Sequence, residues 1–260
     1  MSAVHRARKR FGQNFLTDPH YIARILDAVA PQRGERIVEI GPGLAALTAG
    51  LIERAGHIDA IELDRDLAAR LRADYAPEQL ALHEADALEF DFGALGEGLR
   101  IVGNLPYNIS TPLLFHLTAY TPCIADLHVM LQKEVVARMA AGPATADYGR
   151  LTVMLQVKFR VTRLFVIPPG AFRPAPTVDS AFVRLVPLRA AAPHIADEAV
   201  FARVVAAAFG QRRKTLRNAL SSVCDESLLR DAGIDPGVRG ETQDPLAFVR
   251  LANCVAAGAA

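Results

Sequence analysis

The sequence predicts an α/β fold: a parallel sheet covered by helices on both faces, followed by a small all-helical domain. Three observations predict it. Short apolar runs alternate with helix-period segments over about 120 residues, the pattern of crossover-connected parallel strands. A glycine turn, Gly41-Pro42-Gly43, joins the first main run to a helix. Beyond residue 190 only helical periodicity remains. At 260 residues, 51% of them apolar, the chain can bury the core of one large domain with a small appendage.

Each element follows from its own signals. Thr17-Asp18-Pro19 offers an N-cap and a first-turn proline. The helix "HYIARILDAVA" then spaces Ile22, Ile25, Leu26 and Val29 along one face. "RIVEIG" reads as a strand ending in glycine, and "LAALTAGLIERAG" as a helix closed by Gly56. Next come the strand "HIDAIELD", the helix "RDLAARLRADY" and the strand "LALHEAD". "LRIVGN" is a strand, "TPLLFHLTAY" a helix and "ADLHVMLQ" a strand. After residue 140 the pattern changes: "YGRLTVMLQVKF" reads as helical, while "RVTRLFVIP" and "VDSAFVRLVP" read as strands. The bend "PPGAFRPAPT" between them predicts a hairpin at the sheet edge. "DEAVFARVVAAAF", "KTLRNALSSV", "ESLLRDAG" and "PLAFVRLANCVAA" are helical. The boundary falls near 187–196, giving expected domains 1–190 and 191–260. No internal repeat is visible.

The net charge of +1 hides an asymmetry. Residues 35–97 hold 14 acids against 5 bases. Basic runs lie elsewhere: Arg8, Lys9 and Arg10 near the start, and Arg212, Arg213, Lys214 and Arg217 in "GQRRKTLRNAL". Residues 148–178 carry Arg150, Lys158, Arg160, Arg163 and Arg173 with no acid. Such separation suits a cationic rim that tracks a phosphate backbone, although solvated basic surface is the plainer alternative. Cys123, Cys224 and Cys254 are odd in number and unclustered, so neither a disulfide framework nor a metal site is expected. The basic N-terminus lacks a signal-peptide core, and no apolar run approaches the roughly 18 residues of a membrane span. A cytoplasmic protein without a membrane partner is expected.

"VEIGPGLAALT" places Gly41, Gly43 and Ala46 as G-x-G-x-x-A between a strand and a helix. Glu62 ends the next strand, where a carboxylate would accept from a ribose; Asp86 ends the third and Asn104 the fourth. This cluster at the carboxyl ends of successive strands points to an adenosine-type cofactor. No second dinucleotide-type crossover and no hydride-transfer acid or base accompanies it, which favours a smaller nucleoside over a dinucleotide. A nicotinamide dehydrogenase remains the outside alternative. The stretch "GNLPYNIS" after the fourth strand holds an amide, a proline and an aromatic, with no nucleophile or evident base.

Eight motifs occur in order across residues 11–220: "FGQNFL", "VEIGPGLAALT", "IELD", "ADAL", "GNLPYNIS", "MLQKEV", "FRPAPTVDSAF" and "RRKTLRNAL". Together they resemble the ribosomal RNA adenine N6,N6-dimethyltransferases, and most closely the bacterial small-subunit (16S) type. The resemblance implies a Rossmann-like S-adenosylmethionine-dependent methyltransferase sheet, with S-adenosylhomocysteine as the spent cofactor. It puts cofactor contacts on Asn14, Leu16, Gly41, Glu62, Asp86 and Asn104, with Gly43 beside them in the turn. It puts the acceptor site on Asn104, Leu105, Pro106 and Tyr107, with Phe172 closing the other face. The implied substrate is two adjacent adenines in the 3′-terminal hairpin loop of 16S rRNA, within the assembling 30S subunit, met by a monomer. The basic residues Arg8, Lys9, Arg10, Arg212, Arg213, Lys214 and Arg217 are the candidate RNA contacts. Ala45 departs from the pattern, since many relatives have glycine there. Two alternatives stay open: a large-subunit (23S) methyltransferase of the antibiotic-resistance type, and a non-catalytic assembly factor on the same fold.

The chemistry explains the residue types. Adenine N6 is a poor nucleophile because its lone pair is delocalised into the ring, whereas a sulfonium methyl is already electrophilic. Orientation is the missing ingredient. The Asn104 side-chain oxygen and the Leu105 carbonyl can accept both N6–H bonds, more strongly as charge develops. Pro106 stiffens that turn. Tyr107 offers a stacking face worth about 1–3 kcal/mol per base.

Overall fold

Strands buried on both faces read as continuous apolar runs rather than alternating ones, and the central strands of this protein do so. The computed structural model describes residues 13–258. In chain order the elements of the first half are β1 (Phe15–Leu16), α1 (Pro19–Val29), β2 (Arg36–Ile40), α2 (Thr48–Ala55), β3 (Ile58–Glu62), α3 (Arg65–Asp74) and β4 (Leu80–Glu84). Then follow β5 (Leu99–Asn104), α4 (Ser110–Thr118), β6 (Ile124–Gln132), α5 (Lys133–Met139), α6 (Arg150–Gln156), β7 (Phe159–Ile167), β8 (Phe172–Arg173) and β9 (Ser180–Pro187). The last elements are α7 (Glu198–Gly210), α8 (Leu216–Ala219), α9 (Glu226–Asp231) and α10 (Pro245–Gly258).

Seven strands form one sheet in the order β4-β3-β2-β5-β6-β9-β7. The first five are mutually parallel, and β9 runs antiparallel to β6 with Gln132 opposite Ser180. The two late strands are neighbours at one edge, as the bend between them predicts, with β9 the inner strand and β7 the outer. The chain order reverses between β2 and β5, with β3 and β4 on one side and β6 on the other. In open α/β sheets ligands bind at the carboxyl ends of the strands beside that switch point.

Local signals set the element ends. Asp18 caps α1 by accepting the His20 N–H at 2.9 Å, with Pro19 in the first turn. Asp64 caps α3 by accepting the Asp66 N–H at 3.0 Å. Several helices are shorter than periodicity predicts, among them the one expected over 148–159, which spans Arg150–Gln156. The helix expected from Leu44 starts at Thr48, and the one expected over "KTLRNALSSV" is the single turn Leu216–Ala219. A two-residue pair was not foreseen: β1 runs antiparallel to β8, with Phe15 opposite Arg173 and Leu16 opposite Phe172.

The residues divide into two compact units. One comprises the chain through Val136 together with Thr162–Pro187; the other comprises Ala137–Val161 together with the chain from Leu188 onward. The expected division at 190 therefore meets a discontinuous one. The segment 137–161 sits with the C-terminal helices because Tyr148, Val153 and Val157 belong to the same apolar cluster as Phe201, Leu216 and Phe248. The Tyr148 hydroxyl also donates to the Gln243 carbonyl at 2.7 Å.

Candidate active site

The carboxyl ends of β2, β3, β4 and β5 converge on a cavity of about 150 Å³. Asn14, Leu16, Gly41, Gly43, Glu62, Asp86, Asn104, Leu105, Pro106 and Tyr107 all line it. Ten of the residues singled out from the sequence are thus brought to one place.

The turn after β2 is built from left-handed backbone. Gly41 has φ +67, Gly43 +59 and Ala45 +65. A side chain on Gly43 would approach the Phe15 ring to 3.1 Å, while Gly41 faces open space. That run of positive φ values, ending at Ala45, is why α2 cannot begin at Leu44. The Gly41 N–H donates to the Ile61 carbonyl at 2.9 Å, tying the turn to β3.

Glu62 is buried at the end of β3. Its carboxylate accepts the Gly43 N–H at 3.1 Å and the Asp64 N–H at 2.8 Å. Burial pushes its pKa up, and these backbone donors oppose the rise. A carboxylate has lone pairs beyond those two bonds, so it can still accept from a ligand hydroxyl. Asp86 accepts the Leu88 N–H through Oδ1 at 2.9 Å, shaping the turn after β4 and leaving Oδ2 for other donors. Glu39 also lines the cavity and was not singled out in the sequence. Its side chain accepts from Thr48 Oγ at 2.7 Å. Burial lifts its pKa to about 7, against the Thr48 hydrogen bond and with a contribution from the Glu62 charge. The available signal was an acid inside the otherwise apolar run "IVEI".

The wall of the cavity that follows β5 is set by Asn104. Its Nδ2 donates to the Asn14 carbonyl at 2.8 Å. Only the NH₂ end of an amide can face a carbonyl, so this contact fixes the flip and leaves Oδ1 as an acceptor. The Leu105 N–H donates to the Met130 carbonyl at 3.1 Å, holding the turn against β6. Tyr107 contacts Ser180 through its hydroxyl at 2.6 Å, and Ser110 Oγ donates to the Tyr107 carbonyl at 3.0 Å. Burial raises the Tyr107 pKa, opposed by the Ser180 bond.

Phe172 is not among the residues lining the cavity. Its ring is 0% exposed and belongs to the main core, packed with Leu16, Ala171 and Phe182. The segment 171–173 holds the arm instead: Thr17 N–H donates to the Ala171 carbonyl at 2.8 Å beside the β1–β8 pair. Arg8, Lys9 and Arg10 lie outside the described residues. In the second unit the four basic residues separate. Arg212 donates to the carbonyls of Ala146 at 2.9 Å and Tyr148 at 3.3 Å, and Arg217 pairs with Glu226 at 3.2 Å. Arg213 and Lys214 are exposed, and their side chains have no partner among the described residues.

Glu62, Asp86 and the Asn104 amide share one cavity at the switch point of this sheet, and the class to which the fold belongs is the α/β methyltransferases. The profile of the family described as "Ribosomal RNA adenine dimethylase" matches residues 4–256, and the chain belongs to that family. It is 60% identical over 253 residues to "Ribosomal RNA small subunit methyltransferase A" of Aromatoleum aromaticum, covering 97% of this chain and 96% of that one. Among solved structures it is similar to a dimethyladenosine transferase from Plasmodium falciparum, with TM-score 0.75 and 23% identity over 91% of this chain and 95% of that one. It is also similar to the 23S rRNA methyltransferase ErmE, with TM-score 0.67 and 27% identity over 94% and 100% of the two chains. The protein is thus an enzyme, a methyltransferase of ribosomal RNA adenine. No helix among the described residues is long and apolar enough to cross a membrane.

Proposed function

We propose that the chain carries methyl groups from S-adenosylmethionine to N6 of two adjacent adenines in the 3′-terminal hairpin loop of 16S rRNA, giving N6,N6-dimethyladenosines. Its setting is the assembling 30S subunit in the cytoplasm, with the chain acting as a monomer. The identity of 60% to a small-subunit enzyme against 27% to a 23S enzyme supports the small-subunit assignment. The observation that carries the reading is the Asn104 amide, whose Oδ1 is left as an acceptor in the cavity that Glu62 and Asp86 also line.

The residues fit the cofactor. Gly41 and Gly43 expose bare backbone, Glu62 can accept from a ribose, Asp86 from an exocyclic amine, and Asn14 and Leu16 close the near wall. When bound, the cofactor supplies an electrophilic methyl on a positively charged sulfur. Asn104 Oδ1 and the Leu105 carbonyl would accept the two N6–H bonds and turn the lone pair away from themselves. These acceptors strengthen as N6 gains positive charge, so they favour the transition state over the bound substrate. Tyr107 would stack on the flipped base. After one transfer, with the thioether released, the cationic N6 gives up a proton to water; the one N–H it keeps is what the same acceptors can hold for the second transfer. Phe172 has no exposed ring surface, so service as the second face requires the β1–β8 pair to open.

The test is tritiated methyl transfer to 30S subunits lacking this modification, with 50S subunits alongside and the product digested to nucleosides. Dimethyladenosine from 30S alone is expected, with Asn104→Ala slowing transfer by about 10²-fold or more. Label on 50S would move the assignment to the large-subunit enzyme. No label on either, with cofactor still bound, would favour an assembly factor.

A further inference from the structure

We propose that Ser180 is a positioning residue for the acceptor adenine, acting through Tyr107. The proposal rests on the reading of Tyr107 as the stacking face. Tyr107 Oη and Ser180 Oγ lie 2.6 Å apart, and Ser180 is 0% exposed. Among the described residues Tyr107 is the only hydrogen-bond partner of the Ser180 hydroxyl. A serine whose role was confined to the sheet would satisfy that group on neighbouring backbone; this one spends it on the acceptor turn.

Ser180 itself cannot drift. It is the first residue of β9 and pairs with Gln132, the last of β6. One residue earlier, the Asp179 carbonyl accepts the Lys133 N–H at 2.9 Å, and Lys133 Nζ meets Asp179 Oδ2 at 3.1 Å. At the other end of Tyr107, Ser110 Oγ donates to its carbonyl at 3.0 Å. The aromatic is therefore held at its main chain by α4 and at its para position by β9. Holding both ends of a side chain with two torsions fixes the ring's long axis, and so where its face can lie, before any base arrives, which is where orientation gains rate. The same bond withdraws the phenol from proton chemistry. Its hydroxyl faces Ser180 and burial holds its pKa up, so Tyr107 offers a face rather than an acid or base.

The experiment compares Ser180→Ala, Tyr107→Phe, the double variant and Tyr107→Ala in methyl transfer to unmodified 30S subunits, with S-adenosylmethionine affinity and thermal midpoint measured on each. Ser180→Ala and Tyr107→Phe should each lower kcat about tenfold, leave cofactor affinity within about twofold, and combine without further loss. Losses that multiply in the double variant would overturn the proposal, as would full kcat in Ser180→Ala beside an inactive Tyr107→Ala. If Ser180→Ala fails to fold, Tyr107→Phe decides, since it breaks the same bond without touching the buried strand; full kcat there overturns the proposal. Full kcat in Tyr107→Ala would instead remove the stacking role itself, a separate and recognisable failure.

Discussion

Ala45 carries a cost that its neighbours avoid. It holds φ +65 in the same turn where Gly41 and Gly43 hold +67 and +59. A left-handed conformation costs an L-residue about 1–2 kcal/mol, and glycine costs about 0.5–1 kcal/mol in unfolded-state entropy. Ala45→Gly should therefore stabilise the protein by about 0.5–1 kcal/mol. A urea midpoint that rises without a change in slope would confirm it; a fall would show that the alanine methyl packs better than its backbone suffers. At this scale the sequence was most legible where chemistry leaves few choices of residue. Gly41, Gly43, Glu62, Asp86 and Asn104 could be placed from strand ends alone. Glu39 and Ser180 could not, because their importance lies in what they touch across the fold.

Between elements, the opposite end of the sheet is fastened by charge. Asp126, at the start of β6, receives Arg100 Nε of β5 at 3.0 Å and Arg184 of β9 at 2.9 Å. Arg100 also reaches Glu35 at 2.6 Å and the Val29 carbonyl at the end of α1 at 2.7 Å. Burial alone would raise the Asp126 pKa; the hydrogen-bonded, charged guanidinium of Arg100 overcomes it and holds the carboxyl well below the usual range. His128 Nδ1 lies 3.5 Å away and has no hydrogen bond among the described residues, so the arginines make the directional contacts. A carboxyl with a lowered folded pKa adds stability above its unfolded value near 3.9, and that stability is lost as pH falls through the folded value. Denaturation midpoints should thus drop steadily below about pH 4. Asp126→Asn should flatten that part of the profile while costing about 3–5 kcal/mol at neutral pH, as breaking a buried pair does. An unchanged acid limb in Asp126→Asn would show that other carboxyls govern it. Elements of this kind were readable where apolar runs were long. The β1–β8 pair was not, because two residues carry no periodicity and their pairing is set by a bend in "AFRP" more than 150 positions away.

For the molecule as a whole, the basic tail divides its roles within the second unit. Arg212 is structural, donating to two carbonyls of the 146–148 segment, whereas the side chains of Arg213 and Lys214 have no partner among the described residues. Arg212→Ala should lower the thermal midpoint. Arg213→Ala with Lys214→Ala should leave it unchanged and instead weaken RNA binding, with the salt dependence shallower by roughly 1–2 in log–log slope. Equal RNA effects with no stability difference would erase the distinction. The discontinuous unit was illegible in the sequence for a related reason. Residues 137–161 have the same helical pattern whichever core they join, and only the cluster around Tyr148 decides it.

The short arm strand has a consequence in time. Asn14 waits for Asn104, and Leu16 waits for Phe172. During synthesis the arm emerges well before its partners, the last of which is made more than 150 residues later. Until then the near wall of the cavity cannot close, so an unfinished chain should hold no cofactor and modify nothing. Competence arrives late, when β8 reaches back to β1.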